Sequence, residues 1–184
     1  MNGPCMQFCQ NYLLEHEITG KTVLDVGSYN INGSFRALIE PHNPESYHGV
    51  DMEMGPGVDE ICNAVDLIDR FGKESFDIVV SAEMLEHADD WKTVIHNIKT
   101  VCKPCGTILL TTRSKGFIWH GCPLDFSRFE APDMLHIFSD CTLLGLQTDF
   151  VAPGIFIKVQ KPANFNEIDL KDFNVLDISG EKPE

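Results

Sequence analysis

The sequence predicts an α/β fold: a doubly wound, mainly parallel sheet with helices on both faces, a three-layer αβα sandwich. Three observations carry this expectation. Strand-like and helix-like segments alternate along most of the 184 residues, the order that a parallel sheet with crossover helices requires. The segment 76–81 has an uninterrupted Ile78-Val79-Val80 centre, as expected where both sheet faces are covered. The first such segment, Val23-Leu24-Asp25-Val26-Gly27, ends in a carboxylate and a glycine, where an α/β strand delivers the chain to a ligand loop.

The elements follow in order. Met6, Cys9 and Leu13 fall at helical spacing, and the helix they predict stops near Gly20. Residues 22–26 read as a buried first strand, 32–40 as a short helix ended by Pro41, 47–51 as a second strand and 61–65 as a weak third. After the fourth strand at 76–81, Trp91, Val94, Ile95, Ile98, Val101 and Cys102 share one helical face. Asp89 and Asp90 stand at its positive end, Lys99 and Lys103 near the other, and Pro104 with Gly106 stop it. A fifth strand spans 107–112, and a helix starts at Ala131-Pro132, where proline's missing donor costs nothing. Strands at 142–150 and 154–160 close one predicted domain, 1–160; the polar, acidic stretch 161–184 reads as a loosely held tail.

Composition excludes several classes. A formal net charge of −14 repels a phosphate backbone, and the 14 Lys and Arg residues form no stripe, so nucleic acid is disfavoured as a partner. No apolar run exceeds strand length, so neither membrane spanning nor export is expected. Seven cysteines at irregular spacing predict unbridged thiols in a reducing cytoplasm. Cys102 and Cys105 have the spacing of a zinc half-site or redox pair, but no second half-site follows. No metal site is expected in the chain; Cys102 reads as core and Cys105 as turn.

The loop after Gly27 narrows the ligand. A dinucleotide needs glycines at three fingerprint positions so that the backbone can approach a diphosphate. Gly27, Tyr29 and Asn32 occupy those positions, which weakens a nicotinamide-oxidoreductase reading. A phosphate-free cofactor needs only the close approach at Gly27 and a carboxylate, Asp25, for a cationic group. S-adenosylmethionine, with its ammonium, sulfonium and ribose, fits that description. Asp51 ends the second strand 24 residues after Gly27, near the spacing of about 20 at which such folds place an acid on ribose hydroxyls. It reads equally well as a solvated strand-end acid.

The ordered segments Val-Leu-Asp-Val-Gly (23–27), Gly-Val-Asp (49–51), Cys-Asn-Ala-Val-Asp-Leu (62–67), Ser-Phe-Asp-Ile-Val-Val-Ser-Ala-Glu-Met-Leu-Glu-His (75–87) and Lys-Pro-Cys-Gly-Thr-Ile-Leu-Leu-Thr-Thr (103–112) resemble the class I S-adenosylmethionine-dependent methyltransferases, specifically the small Leu-Glu-His type. The resemblance covers residues 20–160 and implies a Rossmann-like sheet of seven strands. It implies that Asp25, Gly27 and Ser28 line the methionine part of the cofactor, with Tyr29 and Asn32 further along the same loop. Asp51 and Met52 would hold ribose and adenine, Asn63 and Ala64 the adenine edge, and Ser81 and Glu83 the border on the strand-four side. The sequence departs from the pattern at Tyr29, Ile31, Asn63 and Cys105, where glycines, an Asp and a glycine are usual.

Methyl transfer from a sulfonium is an in-line displacement whose leaving group needs no proton, so no catalytic side chain is obligatory. For a hydroxyl acceptor His87, with Glu86 beside it, is the candidate base; packing or capping is its bland alternative. Residues 113–129 follow strand five and hold Trp119, His120, Asp125 and Arg128 among aromatics, the mixture that a small-molecule pocket uses. Asp125 and Arg128 are three apart and can equally pair with each other to fix the loop. The expectation is a small methyltransferase acting on a small-molecule acceptor, the alternative a cofactor-binding but non-catalytic subunit; the acceptor and the oligomeric state are not legible.

Overall fold

The computed structural model describes residues 3–121 and 124–181. Strands β1 (Thr22–Val26), β2 (Ser46–Asp51), β3 (Glu60–Ile61), β4 (Phe76–Ala82), β5 (Cys102–Arg113), β7 (Thr142–Asp149) and β8 (Gly154–Gln160) build the main sheet, and β6 (Ser127–Arg128) with β9 (Leu176–Asp177) a small second one. The main order is β3-β2-β1-β4-β5-β8-β7. Strands β1 to β5 pair in parallel, whereas β8 runs antiparallel to both β5 and β7. The chain winds outward through β2 on one side of β1 and through β4 on the other, so the order reverses between β1 and β4. A crevice opens at such a point, beyond the carboxyl ends of the strands.

Alternation along each strand divides the core in two. Val23, Ile78, Val80, Leu109 and Phe156 face helix α1 (Gly3–Tyr12) through Cys5, Phe8 and Cys9. Leu24, Val26, Val79, Ile108, Leu110, Ile155 and Ile157 face the other way, toward α5 (Trp91–Val101) and α6 (Ala131–Ile137). Helix α5 buries Trp91, Val94, Ile95, Ile98 and Val101, and the Asp90 carboxylate accepts the Thr93 N–H at 3.1 Å to cap its start. Glu15–Ile18 forms a further helical turn, α2, where the sequence predicted one helix running toward Gly20.

Three expectations are corrected. The helix predicted over 32–40 contracts to α3 (Arg36–Ile39) and a 3-10 turn, Glu40–His42. Side chains hold the preceding backbone in turns instead: Asn30 Oδ1 accepts the Gly33 N–H at 2.9 Å, and Ser34 Oγ accepts the Arg36 N–H at 3.1 Å. The third strand stops at Ile61, because Asn63 Oδ1 accepts the Val65 N–H at 3.2 Å and turns the chain into α4 (Leu67–Phe71). The tail is not loosely held over its described part. Leu170 and Val175 enter the core, Phe173 lies against Trp91 and stacks on His136, and β9 pairs with β6.

Buried lysines tie these layers. Lys161 Nζ donates to the carbonyls of Lys99 and Cys102, at 2.9 and 2.8 Å, where α5 ends. Lys99 Nζ donates to the Ile137 carbonyl at the end of α6 and pairs with Asp140, both at 2.6 Å. Lys158 Nζ likewise reaches the Tyr12 carbonyl at the end of α1 and Glu17, both at 2.6 Å. Each places a positive charge at the negative end of a helix dipole. No disulfide joins the described cysteines. No helix of the described residues is long and apolar enough to cross a membrane.

Asp77 joins β4 to its neighbours by accepting the Thr22 N–H at 3.0 Å, the Thr22 hydroxyl at 2.7 Å and Lys103 Nζ at 2.9 Å. Burial alone would raise its carboxyl; the Thr22 and Lys103 donors outweigh that and hold it near 2. Because this pKa lies below the unfolded value, the stabilisation is complete above about pH 4 and is lost as pH falls toward 2. Asp77→Asn is expected to cost about 1–2 kcal/mol in urea unfolding at pH 7, with the gap from wild type closing below pH 4; a constant gap would overturn the linkage. Leu170→Ala is expected to cost about 2 kcal/mol, and an unchanged urea midpoint would show that the described tail is not packed.

Candidate functional site

The rim at the carboxyl ends of β1 and β4 starts at Gly27. Its φ of +80° lies in the left-handed region, and a Cβ there would meet the Met84 side chain at 2.5 and 2.6 Å. Both reasons demand glycine. The N–H groups of Gly27 and Ser28 donate to the Val50 carbonyl at 2.9 and 3.0 Å, which ties the loop to β2. The Tyr29 N–H then donates to Asp51 Oδ2 at 3.1 Å and the Asn30 N–H to the Pro56 carbonyl at 2.7 Å. The loop therefore lies along residues 52–58, with Asn32 exposed at its outer turn. The Ser28 hydroxyl is buried, and a Cβ on Gly49 would meet its Oγ at 2.7 Å. Its side chain thus packs against Gly49 of β2.

Four acids at this rim have different surroundings. Asp25 is 3% exposed and accepts the Tyr47 hydroxyl at 2.6 Å. Burial pushes its carboxyl up to about 6, and the Tyr47 hydrogen bond opposes the rise. Asp51 is half-buried at the end of β2; its two oxygens accept the N–H groups of Tyr29 and Glu53, the latter at 3.3 Å. A carboxylate offers about four lone-pair positions, so Asp51 keeps accepting capacity. Beside it, Met52, Ile61 and Cys62 with polar Asn63, Asp66, Asp69 and Arg70 line an open depression of about 630 Å³. Ala64 is anchored there through its carbonyl, which accepts the Asn97 amide at 3.0 Å.

Ser81 lies near the carboxyl end of β4. Its hydroxyl donates to the Val26 carbonyl at 2.7 Å and is buried, so it joins β4 to β1 below the rim. Glu83 follows with φ +57° and forms an ion pair with Arg113, both side chains buried. Arg113 also stacks its guanidinium 4.1 Å from the Phe117 ring centre and donates to the Ala152 carbonyl at 3.1 Å. Glu83 therefore faces the acceptor loop through Arg113, a partner the sequence did not single out. An arginine ending an apolar strand was the available signal.

The 3-10 turn Leu85–His87 brings the fourth acid inside. Glu86 is 0% exposed; its Oε2 accepts the Thr112 hydroxyl at 2.8 Å and its Oε1 has no hydrogen-bond partner. Burial, then the nearby Glu83 charge, pushes its carboxyl up to about 8. His87 hydrogen-bonds the Leu124 carbonyl through Nδ1. His120 meets the Asp125 carboxylate through Nδ1 at 3.2 Å and through its own N–H at 3.0 Å. The two rings stand edge to face with centres 4.8 Å apart. Burial and neighbouring His87 hold His120 below its ordinary value.

Of the predicted acceptor residues, Trp119 is 63% exposed and His120 is partly open. Asp125 and Arg128 are not open to an acceptor. Arg128 is 1% exposed, donates to both Asp125 oxygens and also reaches the Phe117 carbonyl at 3.4 Å. The pair fixes the loop, and Asp125 in turn holds His120.

A family model described as a methyltransferase domain matches residues 4–141. The chain is 31% identical over 115 residues to the ubiquinone biosynthesis O-methyltransferase of Azotobacter vinelandii, a match covering 55% of this chain and 49% of that protein. It thus spans about half the length of the curated relatives it matches. Among solved structures it resembles an S-adenosylmethionine-dependent methyltransferase from Mesorhizobium loti, with TM-score 0.65 and 14% identity over 86% of this chain and 99% of that one. It also resembles the Burkholderia thailandensis 1,6-didemethyltoxoflavin N1-methyltransferase, solved with 1,6-didemethyltoxoflavin and S-adenosylhomocysteine, with TM-score 0.65 and 16% identity over 86% of this chain and 78% of that one. At these identities the structural likeness speaks for the fold, while the family match spans most of the sequence. The chain belongs to the class I S-adenosylmethionine-dependent methyltransferases.

Proposed function

We propose that the chain binds S-adenosylmethionine between the Gly27 loop and the β2 end, and methylates a small molecule held on the His87 and His120 side. The observation that carries the reading is Asp51: a half-buried strand-end carboxylate with lone pairs to offer, beside a depression where apolar Met52 and Ile61 stand among polar Asn63, Asp66, Asp69 and Arg70. This donor set fits an adenosyl group. Asp51 accepts hydroxyl hydrogens of a cis-diol, Met52 and Ile61 offer an apolar face for a base, and Asn63 borders its edge. Asp25, buried below, adds negative potential where a cationic group would sit. Gly27, with Met84 packed on it, keeps the path between these groups narrow.

When bound, the cofactor supplies a methyl group on a sulfonium, whose departure as a thioether needs no proton. The chain's task is then to orient the acceptor and exclude water. Trp119 and Phe117 offer aromatic surface for a small acceptor. A carbonyl oxygen can only accept, so Leu124 fixes the proton of neutral His87 on Nδ1 and leaves Nε2 able to accept the proton of an acceptor hydroxyl. Asp125 orients His120 in the same sense.

Isothermal titration with S-adenosylhomocysteine is expected to show one site, and Asp51→Asn to weaken it roughly tenfold; undiminished affinity would remove Asp51 from the site. Methyl transfer from labelled S-adenosylmethionine to a panel of hydroxyl- and amine-bearing small molecules separates an enzyme from a cofactor-binding subunit, which would bind and transfer nothing. Arg128→Ala leaves the Asp125 carboxylate buried without its partner and is expected to cost about 3–5 kcal/mol in unfolding free energy. Full stability with lost turnover would instead make Arg128 an acceptor contact.

A further inference from the structure

Among the described residues, one group of three ligand-type side chains gathers its donor atoms within 4.8 Å of one another: Glu86, His87 and His120. Glu86 Oε1 lies 4.0 Å from His87 Nε2 and 3.9 Å from His120 Nε2. It is fully buried and has no hydrogen bond, although a buried acceptor atom without a partner is costly. The carboxylate's other oxygen is fixed by Thr112 at 2.8 Å, so Oε1 is held facing the two rings.

The tautomers are arranged to match. His87 has Nδ1 on the Leu124 carbonyl, and His120 has Nδ1 on Asp125. Both rings therefore carry the proton on Nδ1 and turn the lone pair of Nε2 toward Glu86. Histidine ligands of metals are held this way, with the second nitrogen donating to a carboxylate or a backbone carbonyl. Two imidazoles ordered for proton exchange with Glu86 would need a donor and an acceptor within hydrogen-bond reach, and neither Nε2 is.

We propose that Glu86 Oε1, His87 Nε2 and His120 Nε2 form a binding site for one first-row divalent cation such as Zn²⁺, Mn²⁺ or Co²⁺. Two nitrogens and one carboxylate oxygen suit this class better than the all-oxygen preference of Ca²⁺ or Mg²⁺. Ligands about 2.1 Å from such an ion stand about 3.4 Å apart in a tetrahedron, so the observed spacing calls for a contraction of about 1 Å, within the reach of small side-chain rotations. Glu86 closes the site from inside, while His87 and His120 are partly open. The remaining coordination positions face outward and take water or an oxygen atom of the acceptor. With the cation bound, His87 would serve as a ligand instead of a base, and a coordinated acceptor hydroxyl would have its pKa lowered and release its proton to water.

The test uses no methyl donor, so its outcome is independent of methyl transfer. The full chain, stripped with a chelator, is titrated with Co²⁺ and followed by visible absorption, with Zn²⁺ competition. One equivalent is expected to give bands of a nitrogen and oxygen site, displaced by Zn²⁺, without the near-ultraviolet charge-transfer band of a cysteine thiolate. His120→Ala and His87→Ala, both partly exposed and so less disruptive than changes at Glu86, are each expected to weaken binding more than about tenfold. Absent bands, a thiolate band, or affinity unchanged in both histidine variants would each overturn the assignment.

Discussion

Two buried carboxylates, Asp25 at the end of β1 and Glu86 just beyond β4, constrain everything around them. A carboxylate in a low-dielectric interior must be given donors, a counter-charge or a proton. Tyr47 supplies a hydroxyl to the first and Thr112 to the second. Neither arrangement removes the cost of burial, since both carboxyls remain raised. The sheet supplies the two acids with neighbours because β1 and β4 lie side by side where the strand order reverses. Beyond those strand ends Met84 packs on Gly27, and His87 and His120 stand edge to face.

The rim has two sides with different chemistry. Along β2 and β3, Asp51 stands next to an open depression lined by Met52 and Ile61 and by polar Asn63, Asp66, Asp69 and Arg70. Beyond β4, the loop after β5 folds back through the Asp125 and Arg128 pair and sets His120 against His87. Gly27 lies between them, with no room for a side chain under Met84. The positioning groups are therefore anchored to strand ends and to one buried ion pair, which gives preorganised geometry from short elements.

Much of this was legible in the sequence where a residue's role follows from its immediate neighbours. The apolar run of β4, the face of α5 and the proline start of α6 all announce themselves locally. Helix α4 was missed because Leu67–Phe71 is too short for periodicity to build. The packed tail was missed because Leu170, Phe173 and Val175 dock singly rather than as one face. Strand-end position and motif single out Asp51 and His87 in the sequence, but the partners that define the surroundings of such rim residues are remote. Arg113 meets Glu83, and His120 meets Glu86, only after the sheet is assembled. The Asp125 and Arg128 pair was legible from its three-residue spacing, whereas the bond from the Ser81 hydroxyl to the Val26 carbonyl joins residues far apart in sequence.

The surplus of acids carries a consequence for encounter with ligands. Lys158, Lys161 and Lys99 place their ammonium groups inside the protein on carbonyls at helix ends. Lys99 takes Asp140 inside with it and Lys158 is paired with Glu17, so the outward field keeps the sign set by 28 acids against 14 Lys and Arg residues. Such a field gathers cations, including a sulfonium bearing a free amine and a divalent metal ion, and raises their rate of arrival. That gathering acts over about 10 Å at 0.1 M salt, so the surplus of acids makes the approach of positively charged ligands sensitive to ionic strength.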